Sequence, residues 1–417
     1  MIEDLLRITF VGLNYQPEPT GIAPYSSGLA RGLAARGHRV KFVTAFPHYP
    51  QWRVAPGYSG LGCSEVMDGV QVQRVRHHVP RGSGGHSRAF GEATFGARAV
   101  AAAWGEPDVV ICISPALIAS SMVVARARVS RGAPATGLHI QDLYSAGMAE
   151  ARGGGLPGRA LASLESWTAR KVDGVSVIHD RFKNRICAEL DVPVEAVSVI
   201  RNWTHLAPRP SFDRRAFRHA SGWAGKHVVL HAGAMGDKQG LENVVAAARV
   251  ASARGWPLHF VLVGDGKNRS RLEILSRGVS SLEILDPLPE DEFHKTIHSA
   301  DVLLVNEKPG VVDMAVPSKL TSYFSTGLPV LAATEPNSTT SEEIAASGAG
   351  MQIRPGDAEV LARAAMSLCE DTIRAESLGS RGPRYCAEVL SEENALNRYE
   401  VWIRGLMRRA RVRRGEA

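Results

Sequence analysis

The feature of this sequence that most constrains its fold is a regular alternation of short apolar segments with longer helix-like segments. Residues 7–13 (RITFVGL) and 107–114 (PDVVICIS) have the pattern of strands, and a longer helix-like segment follows each of them. The second segment is almost continuously apolar, which is typical of a strand that is covered on both faces. Because strands that alternate with helices form a parallel sheet with helices on both faces, the pattern predicts a doubly wound α/β fold.

The alternation occurs twice, on either side of an interruption. Residues 202–226 (NWTHLAPRPSFDRRAFRHASGWAGK) are rich in Pro, Arg and Gly and are predicted to be a linker. We therefore predict an N-terminal domain over residues 1–205, a C-terminal domain over 206–385, and a last segment, 386–417, whose helix crosses back to the first domain. Ligands of such sheets bind beyond the carboxyl ends of the strands, so two facing sheets would form a binding cleft.

The net charge of the chain gives one indication about partners. The formal net charge is +7, and much of the excess lies in residues 404–417 (RGLMRRARVRRGEA). Because the other residues are nearly balanced in charge, no nucleic-acid partner is predicted. The basic tail has two interpretations, contact with an anionic lipid surface or a solvated end that frays.

The cysteines and the apolar segments bear on the cellular compartment. The five cysteines have neither CxxC nor zinc-site spacing, which indicates reduced thiols in a cytosolic enzyme and no metal site. The opening segment MIEDLLRITF is not typical of a signal peptide. Since the apolar segments fall short of the ~20 residues that a spanning helix needs, we expect a cytoplasmic protein.

Two loops of the second half have features that suit an anion. Residues 231–244 (HAGAMGDKQGLENV) join a strand to a helix and combine glycines with Lys238. In residues 306–330, Lys308 follows a strand, and Pro317 marks a helix start at which the N–H groups of Ser318 and Lys319 are available. Either loop alone could be purely structural. Two of them in one domain predict a shared ligand, for which a diphosphate is the natural choice.

Two segments of the first half are candidate site elements. Residues 14–30 (NYQPEPTGIAPYSSGLA) form a strand-to-helix loop in which Gly21 permits close approach of a ligand to the backbone. In residues 139–146 (HIQDLYSA), Asp142 is the better candidate for a site residue because it lies nearer the loop. His139 is interpreted as a core histidine, since a three-residue offset on a strand places it on the opposite face from Asp142.

Taken in order, the motifs resemble those of a known family. They are NYQPEPTGIAPY, LAARGHRVKFVTAFPHYPQW, QDLY, SVIRNW, HAGAMGDKQGLENV, LVGDG, ADVLLV and PSKLTSYFSTGLPVLA. Over nearly its whole length the chain resembles the family 4 retaining glycosyltransferases of GT-B architecture, which have two Rossmann-like domains. The nearest group is that of bacterial exopolysaccharide, colanic-acid and O-antigen assembly.

The resemblance implies the chemistry of the reaction. A sugar would pass, with retention, from a UDP- or GDP-linked donor on the C-terminal domain to the hydroxyl of an acceptor on the N-terminal domain. No cofactor or metal ion is implied, because cations and helix N-termini stabilise the charge of the departing diphosphate. The implied acceptor is a polyprenyl-diphosphate-linked saccharide at the inner membrane face.

The resemblance also implies roles for particular residues. Lys238 and the backbone of Ser318 and Lys319 would hold the diphosphate, and Gly21 would approach it from across the cleft. Asp142 is carried over as the candidate catalytic residue, in contact with the acceptor or the donor sugar. The full set of candidate donor-binding residues is Gly21, Gly236, Lys238, Gly264, Asp286, Lys308, Ser318 and Lys319.

The sequence departs from the broad family at several positions, of which two bear on the donor ribose and on the strand-end motif. The glutamate that holds the donor ribose in many members is replaced by Ser322, and the histidine before the strand-end aspartate is replaced by Gln141. Alternatives to the predicted function are a soluble natural-product glycosyltransferase, a nucleotide-sugar epimerase and a catalytically silent partner subunit. The sequence does not identify the sugar, the nucleobase, the linkage or the oligomeric state.

Overall fold

The computed structural model divides the chain into two compact units. One comprises Met1–Asn202 with Glu393–Ala417, and the other comprises Trp203–Glu392; we call them the N-terminal and C-terminal units. The structure describes residues 5–18, 21–49, 51–80, 85–130, 132–142, 156–203, 211–312 and 318–416.

The N-terminal unit is built on an eight-stranded sheet of order β3-β4-β2-β1-β5-β6-β7-β8. Its strands are β1 Arg7–Val11, β2 Arg39–Ala45, β3 Gly62–Met67, β4 Val70–Val75, β5 Val109–Ile113, β6 Ala135–Ile140, β7 Gly174–Val177 and β8 Val197–Val199. All pairs are parallel except β3 with β4. Every residue of β5 is buried, as its apolar sequence predicts.

Strand β3 is the element of this sheet that the sequence analysis missed. It lies at the sheet edge, antiparallel to β4, and its residues are exposed or half-buried. An edge strand that is barely buried needs neither a continuous apolar run nor a strict alternation, so its sequence, GCSEVM, carries little strand signal.

Helices cover the sheet of the N-terminal unit. They are α1 Ala23–Ala35, α2 Gly85–Ala101, α3 Leu117–Val129, α4 Leu156–Lys171, α5 Asp180–Glu189 and, at the end of the chain, α15 Glu392–Arg414. Helix α15 packs so closely on the sheet that a Cβ atom at Gly137 would lie 2.7 Å from both Leu406 and Trp402. The basic residues of α15 belong to the same packing, because Arg413 Nε donates to Asp173 Oδ1 at 2.8 Å. Residues 404–414 are therefore helical rather than frayed.

The C-terminal unit is built on a six-stranded, fully parallel sheet of order β11-β10-β9-β12-β13-β14. Its strands are β9 His227–Ala232, β10 Leu258–Val263, β11 Leu282–Leu285, β12 Val302–Asn306, β13 Val330–Ala333 and β14 Gly350–Ile353. Its helices are α6 Arg214–Ala220, α7 Glu242–Ala253, α8 Arg269–Leu275, α9 Glu290–Ser299, α10 Ser318–Ser325, α11 Thr339–Ser347, α12 Ala358–Glu370, α13 Thr372–Gly379 and α14 Arg381–Glu388. The prediction of two doubly wound α/β halves is confirmed.

Each face of this second sheet carries its own core. Val229 packs with helices α7 and α12 in one cluster, whereas Val228 and Leu230 pack with α10 and α14 in the other. Successive residues of a strand point to opposite faces, so the three consecutive apolar residues of β9 supply both cores. Strands β9 and β12 are neighbours although they are not consecutive in sequence, and this is the switch point at which such sheets bind ligands.

Helix α6 corrects the prediction that residues 202–226 are only a linker. The carboxylate of Asp213 accepts hydrogen bonds from the main-chain nitrogens of Arg215 and Ala216, which caps the helix. Arg214 and Arg218 then form ion pairs with Asp301. The arginines that suggested a solvated linker therefore attach this segment to the C-terminal unit. Residues 204–210, which include the predicted boundary at 205, lie outside the described residues.

Candidate functional site

Two of the predicted anion-binding loops meet at the carboxyl ends of β9 and β12. The main-chain nitrogen of Lys308 donates a hydrogen bond to the carbonyl of Lys238 at 2.8 Å. The side chain of Asn306, the last residue of β12, donates to the carbonyls of Gln239 at 2.7 Å and Gly240 at 3.0 Å. The structure therefore brings together two candidate lysines that are far apart in sequence. Asn306 was missed, although a polar residue that ends an apolar strand was a usable signal.

The loop after β10 joins the same edge through close backbone packing. Gly264 is buried and has φ +138°, and a Cβ atom there would lie 2.1 Å from the carbonyl oxygen of Gly233. Gly266 has φ +156°, and a Cβ atom there would lie 2.6 Å from the carbonyl oxygen of Met235. Only glycine fits at such positions, since any side chain would collide with the neighbouring loop. The LVGDG motif thus sets how closely the loops after β9 and β10 approach each other.

Arg269 ties this loop to the one after β11. Its guanidinium donates to the carbonyl of Gly264 at 2.8 Å and lies 2.7 Å from the carboxylate of Asp286. Gly264 and Asp286, which were predicted to flank one pocket, are thus linked through one side chain. Sequence reasoning did not identify Arg269, because nothing in its local sequence distinguishes it from a solvated helix arginine.

Exposed cationic side chains lie at this edge. Lys238 and Lys308 are both exposed. Asp237, in the short 3₁₀ helix that follows Gly236, is paired with Lys267, and that hydrogen bond lowers the pKa of the Asp237 carboxyl below its usual value. The carboxylate in the loop is therefore already compensated by a cation of its own.

Lys319 adds a third amine, which the sequence analysis considered only for its backbone N–H. Its Nζ lies 3.2 Å from Nε2 of His231 and 3.3 Å from the position a Cβ atom would take at Gly233. Burial of this amine lowers the pKa of Lys319 to about 7, although the nearby carboxylate of Glu307 acts in the opposite direction. His231 is fully buried, and its pKa is well below the usual value because of burial and, secondly, the charge of Lys319.

Among the described residues, no carboxylate pairs with the Lys319 amine. Glu307 is buried as well, but its carboxylate accepts hydrogen bonds from the hydroxyls of Thr334 and Thr340. A lysine amine that is enclosed in protein and hydrogen-bonded to a neutral ring is a cation without a counter-ion when it is protonated. Such an amine is suited to an anionic ligand.

Helix α10 begins at Ser318, and its first N–H groups have no acceptors within the helix. Because an N-terminus carries partial positive charge, it adds to the field of the three lysines. Pro317, the predicted start signal of this helix, lies outside the described residues. Ser322, the position of the missing ribose glutamate, lies in α10 and is buried.

The candidate residues of the N-terminal unit lie at the carboxyl edge of its own sheet. Gly21, before α1, has φ +71°, and its Cβ position is 3.5 Å from the ring of Tyr49. Asp142 follows β6 and is exposed, and its carbonyl accepts a hydrogen bond from the Ser114 hydroxyl at 3.0 Å. Residues 143–155, which include the rest of the QDLY motif, lie outside the described residues.

His139 is a core residue, as the sequence indicates. It is 1% exposed, and its ring contacts the hydroxyls of Ser176 at 2.9 Å and Tyr399 at 3.0 Å. Burial lowers the pKa of His139 to about 4, so the ring is neutral near pH 7. Within the described part of the chain, no group of three or more His, Cys, Asp or Glu residues is placed to hold a metal ion.

Comparisons with known proteins cover both units. Residues 20–203 match the family described as glycosyl transferase 4-like domain, and residues 226–371 match the family described as glycosyl transferases group 1. An Escherichia coli protein named as a colanic acid biosynthesis glycosyl transferase, WcaI, is 32% identical over 338 residues, which are 77% of this chain and 82% of that protein.

Solved structures show the same fold at lower sequence identity. Anabaena HepE in complex with UDP aligns with a TM-score of 0.70 at 14% identity, over 95% of this chain and 99% of that one. WaaG, a glycosyltransferase involved in lipopolysaccharide biosynthesis, aligns with a TM-score of 0.66 at 16% identity, over 94% and 98% of the two chains. HepE has also been solved with UDP-glucose.

Proposed function

Because this chain belongs to the group 1 glycosyltransferases, of the family 4, GT-B type, we propose that it transfers a sugar from a nucleoside diphosphate sugar to an acceptor hydroxyl with retention of configuration. The membership confirms the resemblance drawn from the ordered motifs. The observation that carries the proposal is the group of three lysine amines around the loops after β9 and β12, one of which has no carboxylate partner among the described residues.

Each member of this group has a role in the proposed reaction. Lys238, Lys308 and Lys319, with the N–H groups of Ser318 and Lys319 and the loop at Gly236, bind the diphosphate of the donor. As the bond between the sugar and the diphosphate breaks, negative charge develops on the leaving oxygen, and preorganised cations stabilise it. Lysine amines and helix N–H groups supply positive charge to the bound diphosphate without a bound ion, so the reaction is proposed to proceed without a divalent metal.

The remaining candidates keep the roles that the family resemblance implies. Gly264 and Asp286, joined through Arg269, flank the nucleobase pocket in this proposal. Gly21 is proposed as a further donor-binding residue. Asp142 contacts the reacting sugars and acts as the catalytic residue. UDP is the first nucleotide to test, because HepE binds it, and GDP is the second.

The acceptor is proposed to be a lipid-linked saccharide of cell-surface polysaccharide assembly. The support is the kinship with WcaI, which is named for colanic acid biosynthesis. Within the described residues, no helix has the length and apolarity to span a bilayer. Contact with the cytoplasmic membrane face would instead use basic residues of α15. Arg413 is already paired with Asp173, whereas Arg408 and Arg411 have no carboxylate within ion-pair distance among the described residues.

Transfer from a labelled donor tests this function. The purified chain is incubated with radiolabelled UDP-glucose or a GDP-sugar, with and without EDTA, and free sugar and product are separated. We expect slow donor hydrolysis that EDTA does not abolish and that Asp142→Asn lowers. Activity that disappears with EDTA would contradict the metal-free mechanism. Absence of any turnover, together with nucleotide binding, would favour a silent partner subunit.

The acceptor is tested separately with liposomes. We expect the chain to bind to vesicles that contain anionic lipid. We expect a variant with Arg408 and Arg411 replaced by Gln to lose this binding, and the two results together would support the lipid-linked acceptor. Equal partition of both proteins onto neutral and anionic vesicles would contradict it and favour a soluble acceptor.

A further inference from the structure

We call Lys238, Lys308 and Lys319, with the loops and helix start that carry them, the lysine site. Its most buried polar contact joins the Lys319 amine to the ring of His231, and none of the roles proposed above involves His231. His231 lies inside β9 and is 0% exposed. Its ring was not selected from the sequence because it is separated from Lys319 by 88 residues. The contact of 3.2 Å holds the lysine amine against the main chain of Gly233.

The groups around this contact come from four elements. Strand β9 supplies His231, its following loop supplies the exposed Lys238, and helix α10 supplies Lys319 itself together with the buried Tyr323. The loop after β12 supplies Glu307, which two threonine hydroxyls hold, and the exposed Lys308. The hydroxyl of Tyr323 accepts a hydrogen bond from the Ala232 nitrogen at 2.7 Å, and burial raises its pKa, so it stays neutral. The enclosed amine thus has one carboxylate near it, which is buried and already hydrogen-bonded, while two further lysines lie on the loops after β9 and β12.

We propose that His231 is a positioning residue for Lys319, and that through this pair the binding of the nucleotide takes up a proton. This inference rests on the proposed function and deepens it. In the nucleotide-free protein a proton on the Lys319 amine has only a neutral ring as its hydrogen-bond partner among the described residues. When a diphosphate binds, its negative charge favours the ammonium form, and a proton moves from the buffer to Nζ of Lys319. No covalent bond changes, and the proton leaves again with the nucleotide.

The role of His231 follows from the same geometry. Nε2 is the acceptor that the ammonium form of Lys319 can use, so the ring makes protonation less costly while it fixes where the amine lies. Without that acceptor, the amine would gain its proton only at a lower pH. A residue with a purely structural role in β9 would not change the pH dependence of nucleotide binding. The low pKa of Lys319 agrees with this reasoning.

Isothermal titration of the full chain with UDP measures the proton directly. At pH 8 the nucleotide is fully ionised, so titration in HEPES and in Tris, whose ionisation enthalpies differ, reports protons bound by the protein. For an amine of pKa about 7 that becomes fully protonated in the complex, we expect uptake of about 0.9 proton per UDP. UDP binding with the same heat in both buffers would overturn the inference and leave the proposed function intact. Absence of binding by UDP and GDP alike would overturn both.

Variants of His231 separate positioning from structure. In His231→Leu, UDP should bind about tenfold more weakly at pH 7 and nearly as well as to the wild type at pH 5.5. His231→Gln supplies an amide oxygen as acceptor and should restore the wild-type pH profile. The matched control is His294→Leu, which removes another buried histidine of the same unit whose Nε2 has no hydrogen-bond partner among the described residues. If His231→Leu and His294→Leu weaken binding equally at every pH, His231 is only structural and the inference fails. If His231→Leu does not fold, the two-buffer titration of the wild type decides alone.

Discussion

Replacing Lys319 by methionine should stabilise the folded chain, in proportion to the cost of enclosing its amine. An unfolded lysine has a pKa of 10.5, whereas Lys319 has a pKa of about 7. At 1.36 kcal/mol for each pH unit of that difference, the full cost of the protonated amine below pH 7 is about 5 kcal/mol. Because Lys319 as a whole residue is partly exposed, solvent reduces this figure, and we expect Lys319→Met to stabilise by about 2–4 kcal/mol at pH 6.

The pH dependence gives the sign of the effect. Between pH 7 and 10.5 the unfolded chain holds more protons on this lysine than the folded chain does, so the stability of the wild type rises with pH in that window. The advantage of Lys319→Met should therefore be largest below pH 7 and should shrink as the pH approaches 10.

Thermal unfolding at pH 6, 7, 8 and 9 checks this prediction. A domain of this size shifts by about 2–4 °C for each kcal/mol, so the variant should melt well above the wild type at pH 6. Lys171→Met, at an exposed lysine of the N-terminal unit, is the control and should leave the midpoint nearly unchanged. The reasoning is refuted if Lys319→Met melts no higher than the wild type at pH 6, or if its advantage is the same at pH 6 and pH 9.

Three further predictions concern the lysine site, a glycine contact and the last helix. Lys238→Ala should lower the rate of donor turnover by about 100-fold and leave the melting temperature unchanged. The control variant Lys171→Ala should change neither the turnover rate nor the melting temperature. Gly264→Ala should destabilise the folded chain by about 2–4 kcal/mol in urea unfolding, because its Cβ atom would lie 2.1 Å from a carbonyl oxygen. The control is Gly278→Ala, which is also at positive φ but has open space around it, and it should destabilise by only about 1 kcal/mol. Asp173→Asn should destabilise the folded chain by about 2–3 kcal/mol, since it weakens the buried pairing with the arginines of α15. It should also make that helix more sensitive to limited proteolysis. Equal cleavage of the variant and the wild type would contradict this role.

The architecture was predictable because its signal is local and repeated. The apolar runs of β5 and β10 are buried at every residue, as a strand covered on both faces requires. The exposed edge strand β3 and the short helix α6 escaped prediction for the opposite reason. Contacts with β4 and with Asp301 hold them in place, and such contacts leave no periodic pattern in the segments themselves.

The candidate site was predictable only in part. Glycine-rich turns and lysines after apolar strands identified Lys238 and Lys308, which the structure links through their backbones. The contact of Lys319 with His231 and the hydrogen bonds from the Asn306 side chain to the loop after β9 could not be foreseen. Each depends on which strands become neighbours in the sheet. Strand order is a property of the whole topology, and no single segment encodes it.

The packing of α15 has a consequence for the order in which the molecule is made. The surface around Gly137 leaves the ribosome early, yet the side chains that cover it, Trp402 and Leu406, follow only after an intervening unit of roughly 190 residues. At a synthesis rate of about 5–20 residues per second, the roughly 265 residues from Gly137 to Trp402 take about 13–53 s, during which that apolar surface has no cover. During this time chaperones and proteases can reach the incompletely covered core of the nascent chain. A chain that is released before its last twenty-five residues are made would leave this surface of the N-terminal unit permanently uncovered.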